Sequence, residues 1–428
     1  MEKQNVRAVA LDVLLRCEAA GQYANIALDT AQKRAGLEGA DRALLTALFY
    51  GVTEHRITLD HVIDRLSSIA PSAIEKKVRM ILRLGLCQLI YFDRIPDHAA
   101  INETVSLAPS RSKGFVNALL RRFVREGKAL GLPAREKDLV AYLSVAYSVT
   151  PELAETFCRV FGTECAEREL AALSRAPDTC VRVNTARITR EEWIARFGGT
   201  PTKYAPHGVR FSDGEALHTA LSEGLCFVQD EASQICVAAL DARGCSVLDL
   251  CAAPGSKSFG AALDGAARVR SFDLHENKIS LIRRGAEQLG IDTLVAAAGD
   301  ARNAAPQTVG TFDRVLADVP CSGFGVLAKK PDIRYKSGAG VKGLPAIQRD
   351  ILSSAANCVA TGGVLIYSTC TILPEENEEQ VTRFLSEHPE FSLMPFDVGE
   401  LHTEGMLTLT PATYGTDGFF IAKMQKGQ

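Results

Sequence analysis

The sequence predicts an α/β domain with a mostly parallel sheet, preceded by an all-helical domain and a small α/β joining module. Three changes of texture predict it. From Val6 to about Leu130 apolar residues recur at spacings of three and four, with Asp or Pro at the helix starts. A short mixed segment follows. From Glu231 onward, short β-branched runs alternate with stretches long enough for helices, the pattern of a parallel sheet. The boundaries fall at 1–130, 131–228 and 229–428.

The helical part reads "VRAVALDVLLRC", "ADRALLTALFYGVTEHRITLDHVIDRL", "IEKKVRMILRLGLCQLIYF" and "KGFVNALLRRFVREGKAL". In the last of these, Arg121, Arg125 and Lys128 fall at i, i+4 and i+7 beside Arg122, opposite an apolar stripe of Phe115, Leu119 and Phe123. A solvated face is the commoner meaning of such a basic edge, and RNA phosphate binding is the alternative. Gly131 to Lys137, rich in Gly, Pro and charge, reads as a linker, and helical patterning resumes in "PELAETFCRVFG". In the joining module "CVRVN" alternates as a strand, "TREEWIARFG" reads as a capped helix and "HGVRFSD" as a second strand. The strands of the last domain are "CSVLDL", "ARVRSFDL", "TLVAAAGDA", "FDRVLADVP" and "GGVLIYS".

Composition narrows the function. With 428 residues and 46% apolar content the chain can bury several cores, and a formal charge of -3 means that any polyanion-binding surface is a local concentration of Lys and Arg. The 12 cysteines are scattered through a large chain that begins "MEKQNVRAVALDVL", so a reducing cytoplasm is the expected setting. No two cysteines have C-x-x-C spacing and no apolar run nears the roughly 20 residues of a spanning helix. No metal, no membrane and a monomer are the expectations.

In parallel α/β sheets ligands bind at the carboxyl ends of the strands. The first strand runs into "CAAPGSKS", Cys251, Ala252, Ala253, Pro254, Gly255, Ser256, Lys257 and a second serine, small residues that let a ligand approach free N–H groups at a helix start. A P-loop requires glycines where Cys251 and Ser256 stand, and the G-x-G-x-x-G fingerprint is missing. The second strand ends in Asp273, placed to take the hydroxyls of a ribose, and the third in "GDA" with Asp300. An adenosine ligand without a pyrophosphate, such as S-adenosylmethionine, suits this set. Each Asp taken singly serves equally well as a helix N-cap.

Two later strands end in thiols. "LADVPCSGFGVL" carries Asp318 and Cys321, and "GGVLIYSTCTILPEEN" carries Cys370. A single strand-end cysteine is commonly a small hydrophobe, but two in neighbouring positions suggest chemistry. Carbon 5 of cytosine is too unreactive to attack a methyl sulfonium until a nucleophile adds to carbon 6, and a thiolate can do this. An acid near ring nitrogen 3, such as Asp318, stabilises the charge that forms. After transfer the carbon 5 proton leaves and the thiol is eliminated, a step that a second thiol assists. The chemistry alone does not rank the two cysteines.

At these residues the sequence resembles the RNA cytosine-5 methyltransferases of the bacterial RsmB (Sun/Fmu) type, over nearly the whole chain. "VLDLCAAPGSKS" is similar to that family's cofactor loop, "DVPCSGFGVL" to its Pro-Cys motif, "YSTCTILPEENEEQV" to its Thr-Cys motif and "DGFFIAKM" to its terminal strand. The resemblance implies a Rossmann-like catalytic domain that uses S-adenosylmethionine. Cys370 would be the nucleophile and Cys321 the thiol that assists release; Cys251 to Lys257, Asp273, Asp300 and Asp318 would contact the cofactor, with Asp318 and Lys257 also near the base. The helical half resembles a NusB-like RNA-binding domain, which implies a cytosine of small-subunit ribosomal RNA as target. Arg182 and Asn184 of "RVN", and Lys329 and Lys330 of "KKPDIRYK", are the RNA contacts carried over beside the basic edge. Ser256 stands where many members have glycine, and "AYSVTPEL" replaces an expected Tyr-Pro-x-Trp. The same chemistry on transfer RNA, or a non-catalytic RNA-binding assembly factor, are the competing readings.

Overall fold

The computed structural model describes residues 5–20, 24–175, 178–336 and 341–427. They form two compact units. One runs to Leu170 and takes in Lys330–Lys336; the other holds Ala171–Lys329 and the chain from Ser337 to the end.

The first unit is helical. Helices Val6–Ala20, Ala24–Ala35, Gly39–Glu54, Arg56–Leu66, Lys76–Tyr91, Asp97–Ser106 and Lys113–Arg125 close on a core that includes Leu45, Phe49, Ile63, Ile81, Leu120 and Phe123. Helix Lys76–Tyr91 is buried on most of its circumference, so that even Arg83 and Gln88 lie inside among its apolar residues. The long run from Ala40 to Leu66 breaks at His55, whose N–H still returns to the Gly51 carbonyl while its ring stacks on Tyr91 at 3.8 Å. Burial, aided by the Arg334 charge, pulls His55 down to about 4, so this break holds a neutral ring.

The basic edge is shorter than its sequence suggests. The helix stops at Arg125, because Gly127 and Lys128 both take left-handed φ, +69° and +59°. Lys128 therefore lies beyond the helix, paired with Asp97, and Arg122 pairs with Glu126, which also takes Arg65. Arg121 donates to the Asn117 side chain, and Arg125 is exposed. Helices Leu139–Tyr147 and Pro151–Phe161, capped by the side chains of Asp138 and Thr150, also belong to this unit, so the first division of the structure falls near 170 whereas the sequence reading draws it at 130. Segment Lys330–Lys336 is packed into the same unit. Arg334 is buried, donating to the Tyr147 carbonyl and pairing with Glu54, and the Tyr335 hydroxyl donates to the Glu54 carbonyl under the Arg56 guanidinium.

The second unit contains two main sheets. Strands β1 (Thr179–Val183), β2 (Thr200–Pro201), β3 (Gly208–Phe211) and β4 (Cys226–Val228) form an antiparallel sheet in the order β2-β3-β1-β4. Its helix Arg190–Phe197 starts with a complete capping box between Thr189 and Glu192, worth about 1 kcal/mol, and buries Trp193 fully. Arg182 and Asn184 require correction as RNA contacts. Arg182 is 2% exposed and its guanidinium pairs with Asp264, and fully buried Asn184 donates to the carbonyls of Gly224 and Leu289. Both tie this small sheet to the helices of the larger one.

The larger sheet is built from β5 (Ser246–Asp249), β6 (Arg268–Asp273), β7 (Leu294–Ala298), β8 (Phe312–Asp318), β9 (Val359–Thr369), β10 (Phe391–Leu393), β13 (Met406–Leu409) and β14 (Phe419–Lys426), with β11 (Phe396–Val398) and β12 (Leu401–Thr403) as a separate pair. Its order is β10-β14-β9-β8-β5-β6-β7, and β5 to β9 are mutually parallel where they pair. Side chains alternate between two cores. Leu248, Val315, Ala317 and Leu365 face one, and Val247, Leu316 and Ile366 the other. From β5 the chain winds first through β6 and β7 on one side, then through β8 and β9 on the other, and this reversal opens a crevice at the carboxyl ends of β5 and β8.

Candidate active site

At the end of β5 the chain turns through Cys251–Gly255 into helix Ser256–Leu263. Gly255 has φ +114°, and a Cβ there would collide with the Phe259 ring, so only glycine allows this close turn. The Ala253 N–H donates to Asp273 at the end of β6, whose other oxygen accepts from the His275 N–H and faces Lys278 at 3.5 Å. Loop and acid thus meet at the carboxyl ends of β5 and β6. Asp300 is placed differently. It caps its own short turn and holds Arg302 with both oxygens, the helix-cap alternative that its position allowed. It also lines a largely apolar cavity of about 330 Å³ with Leu250, Phe272, Ala301 and Val309.

Asp249 lies beneath the loop. It is 1% exposed, accepts from the Ser258 hydroxyl at 2.6 Å, and its second oxygen has no hydrogen-bond partner among the described residues. Burial pushes it up to about 7. An acid raised in the folded state destabilises the fold increasingly as pH climbs from its ordinary value near 3.8 through 7, because the unfolded chain ionises first. Asp249→Asn keeps an acceptor for Ser258 and removes that cost. Thermal unfolding should show it a few kcal/mol more stable at about pH 8, since each tenfold change in proton affinity on folding is worth roughly 1.4 kcal/mol, with the gain shrinking toward pH 5. A gain independent of pH would contradict this account.

Lys257, on the first turn of the helix after the loop, reaches across to β8. Its Nζ lies 2.6 Å from Asp318 and 5.2 Å from the centre of the Phe419 ring. Burial alone would lower the ammonium, but Asp318 and the neighbouring acidic groups outweigh it and the net displacement is upward. The amine is therefore a fixed positive charge. The second Asp318 oxygen accepts from the Ser368 hydroxyl at 2.8 Å, which links the pair to β9.

Beyond β8 and β9 the two thiols converge. Cys321 Sγ and Cys370 Sγ are 3.2 Å apart, and the Cys370 N–H donates to Cys321 Sγ at 3.3 Å. Both cysteines are half-buried thiols outside any disulfide. The Pro-Cys loop is pinned from the far side. The Gly325 N–H donates to the Cys370 carbonyl and its own carbonyl accepts from Gly418, so closely that a Cβ on Gly325 would run into the Gly418 backbone. The Cys321 thiol is pushed up by its hydrogen bond to Cys370, by burial, and by the charges of Cys370 and Glu376. Cys251 is likewise raised by burial and then by Asp249, Asp318 and Asp273, which keeps it an unreactive thiol.

Sequence reasoning missed the groups beneath the thiols. Glu376 and Gln348 are fully buried against the Pro-Cys loop, and the Tyr367 hydroxyl donates to the Glu376 carbonyl. Glu376 stands within "PEENEE", where nothing in the spacing separates a buried acid from the solvated ones beside it. Among the cations, Lys329 is committed to Asp230 and Asp417, while Lys330 is exposed. Among the described residues no group of three His, Cys, Asp or Glu could hold a metal ion, and no helix is long and apolar enough to cross a membrane.

Comparison with known proteins follows the same division. Residues 238–425 match the family described as 16S rRNA methyltransferase RsmB/F, and residues 4–125 match the NusB family. The chain is 35% identical to the probable ribosomal RNA small subunit methyltransferase B of Bacillus subtilis, over 100% of both chains. It is 32% identical to the ribosomal RNA small subunit methyltransferase B of Citrobacter koseri, again over 100% of both. Among solved structures, PH0851 matches with a TM-score of 0.77 at 26% identity, covering 98% of each chain. NSun6 from Pyrococcus horikoshii with SFG shares the fold, with a TM-score of 0.56 at 21% identity over 65% of this chain and 98% of that one.

Proposed function

The chain belongs to the 16S rRNA methyltransferase RsmB/F family, and from that premise we propose that it methylates carbon 5 of a cytosine in small-subunit ribosomal RNA, with S-adenosylmethionine as donor. The observation that carries the chemistry is the pair of sulfurs 3.2 Å apart at neighbouring strand ends, with the Lys257–Asp318 pair joined to the same β9 strand.

The donor cradle suits an adenosine. Gly255 leaves room that a Cβ would fill, Asp273 stands at the loop, and Asp249 offers a buried oxygen without a partner among the described residues. Bound there, S-adenosylmethionine supplies an electrophilic methyl group. Cys370 adds as thiolate to carbon 6 of the cytosine, which makes carbon 5 nucleophilic. Lys257, held charged, and Asp318 set the electrostatics for the negative charge that spreads through the ring. When carbon 5 loses its proton to a base, Cys370 leaves as thiolate, and Cys321 stabilises the departing sulfur by donating a hydrogen bond. The helical bundle presents Arg121 and Arg125 for RNA phosphates, and Lys330 supplies a further exposed charge.

The test is product identity. Full-length protein incubated with small-subunit ribosomal RNA and methyl-labelled S-adenosylmethionine should place the label in 5-methylcytidine after nucleoside digestion. Label in another nucleoside overturns the chemistry, and label in transfer RNA but not in ribosomal RNA overturns the substrate.

A further inference from the structure

We propose that Glu376 is a positioning residue for the release step, holding Cys321 in register against Cys370 through Ser322 and Gln348. This rests on the roles given above to the two cysteines. One oxygen of the Glu376 carboxylate accepts from the Ser322 N–H at 3.0 Å and from Gln348 Nε2 at 2.7 Å. Gln348 Nε2 also donates to the Pro320 carbonyl at 3.0 Å. The peptide groups on both sides of Cys321 are thereby gripped by one Glu–Gln pair. A third tie joins the residues that follow the two cysteines, Ser322 Oγ and Thr371 Oγ1, at 2.6 Å.

Chemistry favours function over packing here. Glu376 is fully buried, its other oxygen has no partner among the described residues, and taking a polar group from water with so few bonds carries a desolvation cost. Filling the same space with an apolar side chain would relieve that cost, yet no apolar group could hold the Ser322 amide. Cys321 itself lies on an irregular loop with no strand ladder to fix it. Displacing its sulfur by an ångström moves it out of hydrogen-bond range of the departing thiolate, a loss on the order of 10²-fold.

The experiment compares Glu376→Ala, Glu376→Gln and Gln348→Leu with Cys321→Ala, in the full chain, with small-subunit ribosomal RNA and S-adenosylmethionine. Covalent protein–RNA adduct is read on denaturing gels and 5-methylcytidine by nucleoside analysis. Glu376→Ala should lower free product about 10²-fold while adduct persists, the pattern expected of Cys321→Ala. Glu376→Gln retains an acceptor oxygen for both donors and should restore release to within about tenfold. Proportional loss of adduct and product in Glu376→Ala, with adduct still trapped in Cys321→Ala, overturns the proposal, as does unimpaired turnover. Where Glu376→Ala is insoluble, Gln348→Leu decides in the same terms. Absence of adduct from Cys321→Ala itself removes the release role of Cys321, and the role of Glu376 with it.

Discussion

Cys370→Ala is expected to abolish 5-methylcytosine formation, by roughly 10⁴-fold or more, without measurable loss of stability. The side chain is half-buried and short, and its removal gives up the sulfur contact with Cys321 but keeps the backbone tie, because Gly325 is held by the Cys370 carbonyl and not by the sulfur. On the proposed mechanism, carbon 5 has no route to sufficient electron density without the thiolate, and the electrostatics of Lys257 and Asp318 have no charge to stabilise. Cys321→Ala separates the two sulfurs. It should add to carbon 6 and transfer the methyl group once, then accumulate adduct. The opposite pattern, adduct from Cys370→Ala and none from Cys321→Ala, would exchange the roles. Equal residual turnover in both would remove covalent catalysis altogether.

The second large effect concerns the Lys257–Asp318 pair. Lys257→Met should cost about 2–3 kcal/mol in urea unfolding, below the roughly 3–5 of a fully enclosed pair because the Asp318 side chain is 27% exposed and water screens it. The penalty is that of an acid left without its cation in a partly exposed crevice. The double variant Lys257→Met, Asp318→Asn should recover most of that stability while remaining inactive. Recovery with inactivity marks the pair as one retained for chemistry. A double variant no more stable than Lys257→Met would show instead that Asp318 is stabilised by Ser368 alone.

Much of the architecture was legible because hydrophobic period reports burial. Helix Lys76–Tyr91 and strands β5, β6, β8 and β9 lie where the period of their residues places them, and the capped helix Arg190–Phe197 starts at the Thr189 that its motif marks. The errors have two causes, distant partners and local turn chemistry. Arg182 and Asn184, in or next to a short strand, carry over as RNA contacts with the family resemblance, yet their partners Asp264 and Leu289 stand 82 and 105 positions away and bury them. The continuation of the basic edge to Lys128 failed through turn chemistry, since Gly127 ends the helix before that register is reached. Lys128 and Lys329 are cations that tertiary partners claim, which no count of charge can reveal, while Arg122 pairs locally with Glu126 four positions on.

What the sequence by itself determined is the type and order of the main elements, though not the short strands β2, β4 and β10 to β13, and the placing of a small-residue loop, three acids and two thiols at strand ends, because strand period and chain direction fix which end each residue occupies. Only the tertiary structure decided that Cys321 and Cys370 stand in contact, that Lys257 meets Asp318, that Asp300 turns to Arg302, and that a buried Glu376 lies beneath the thiols. Distances between residues tens of positions apart depend on how strands and loops pack, and no local pattern encodes them.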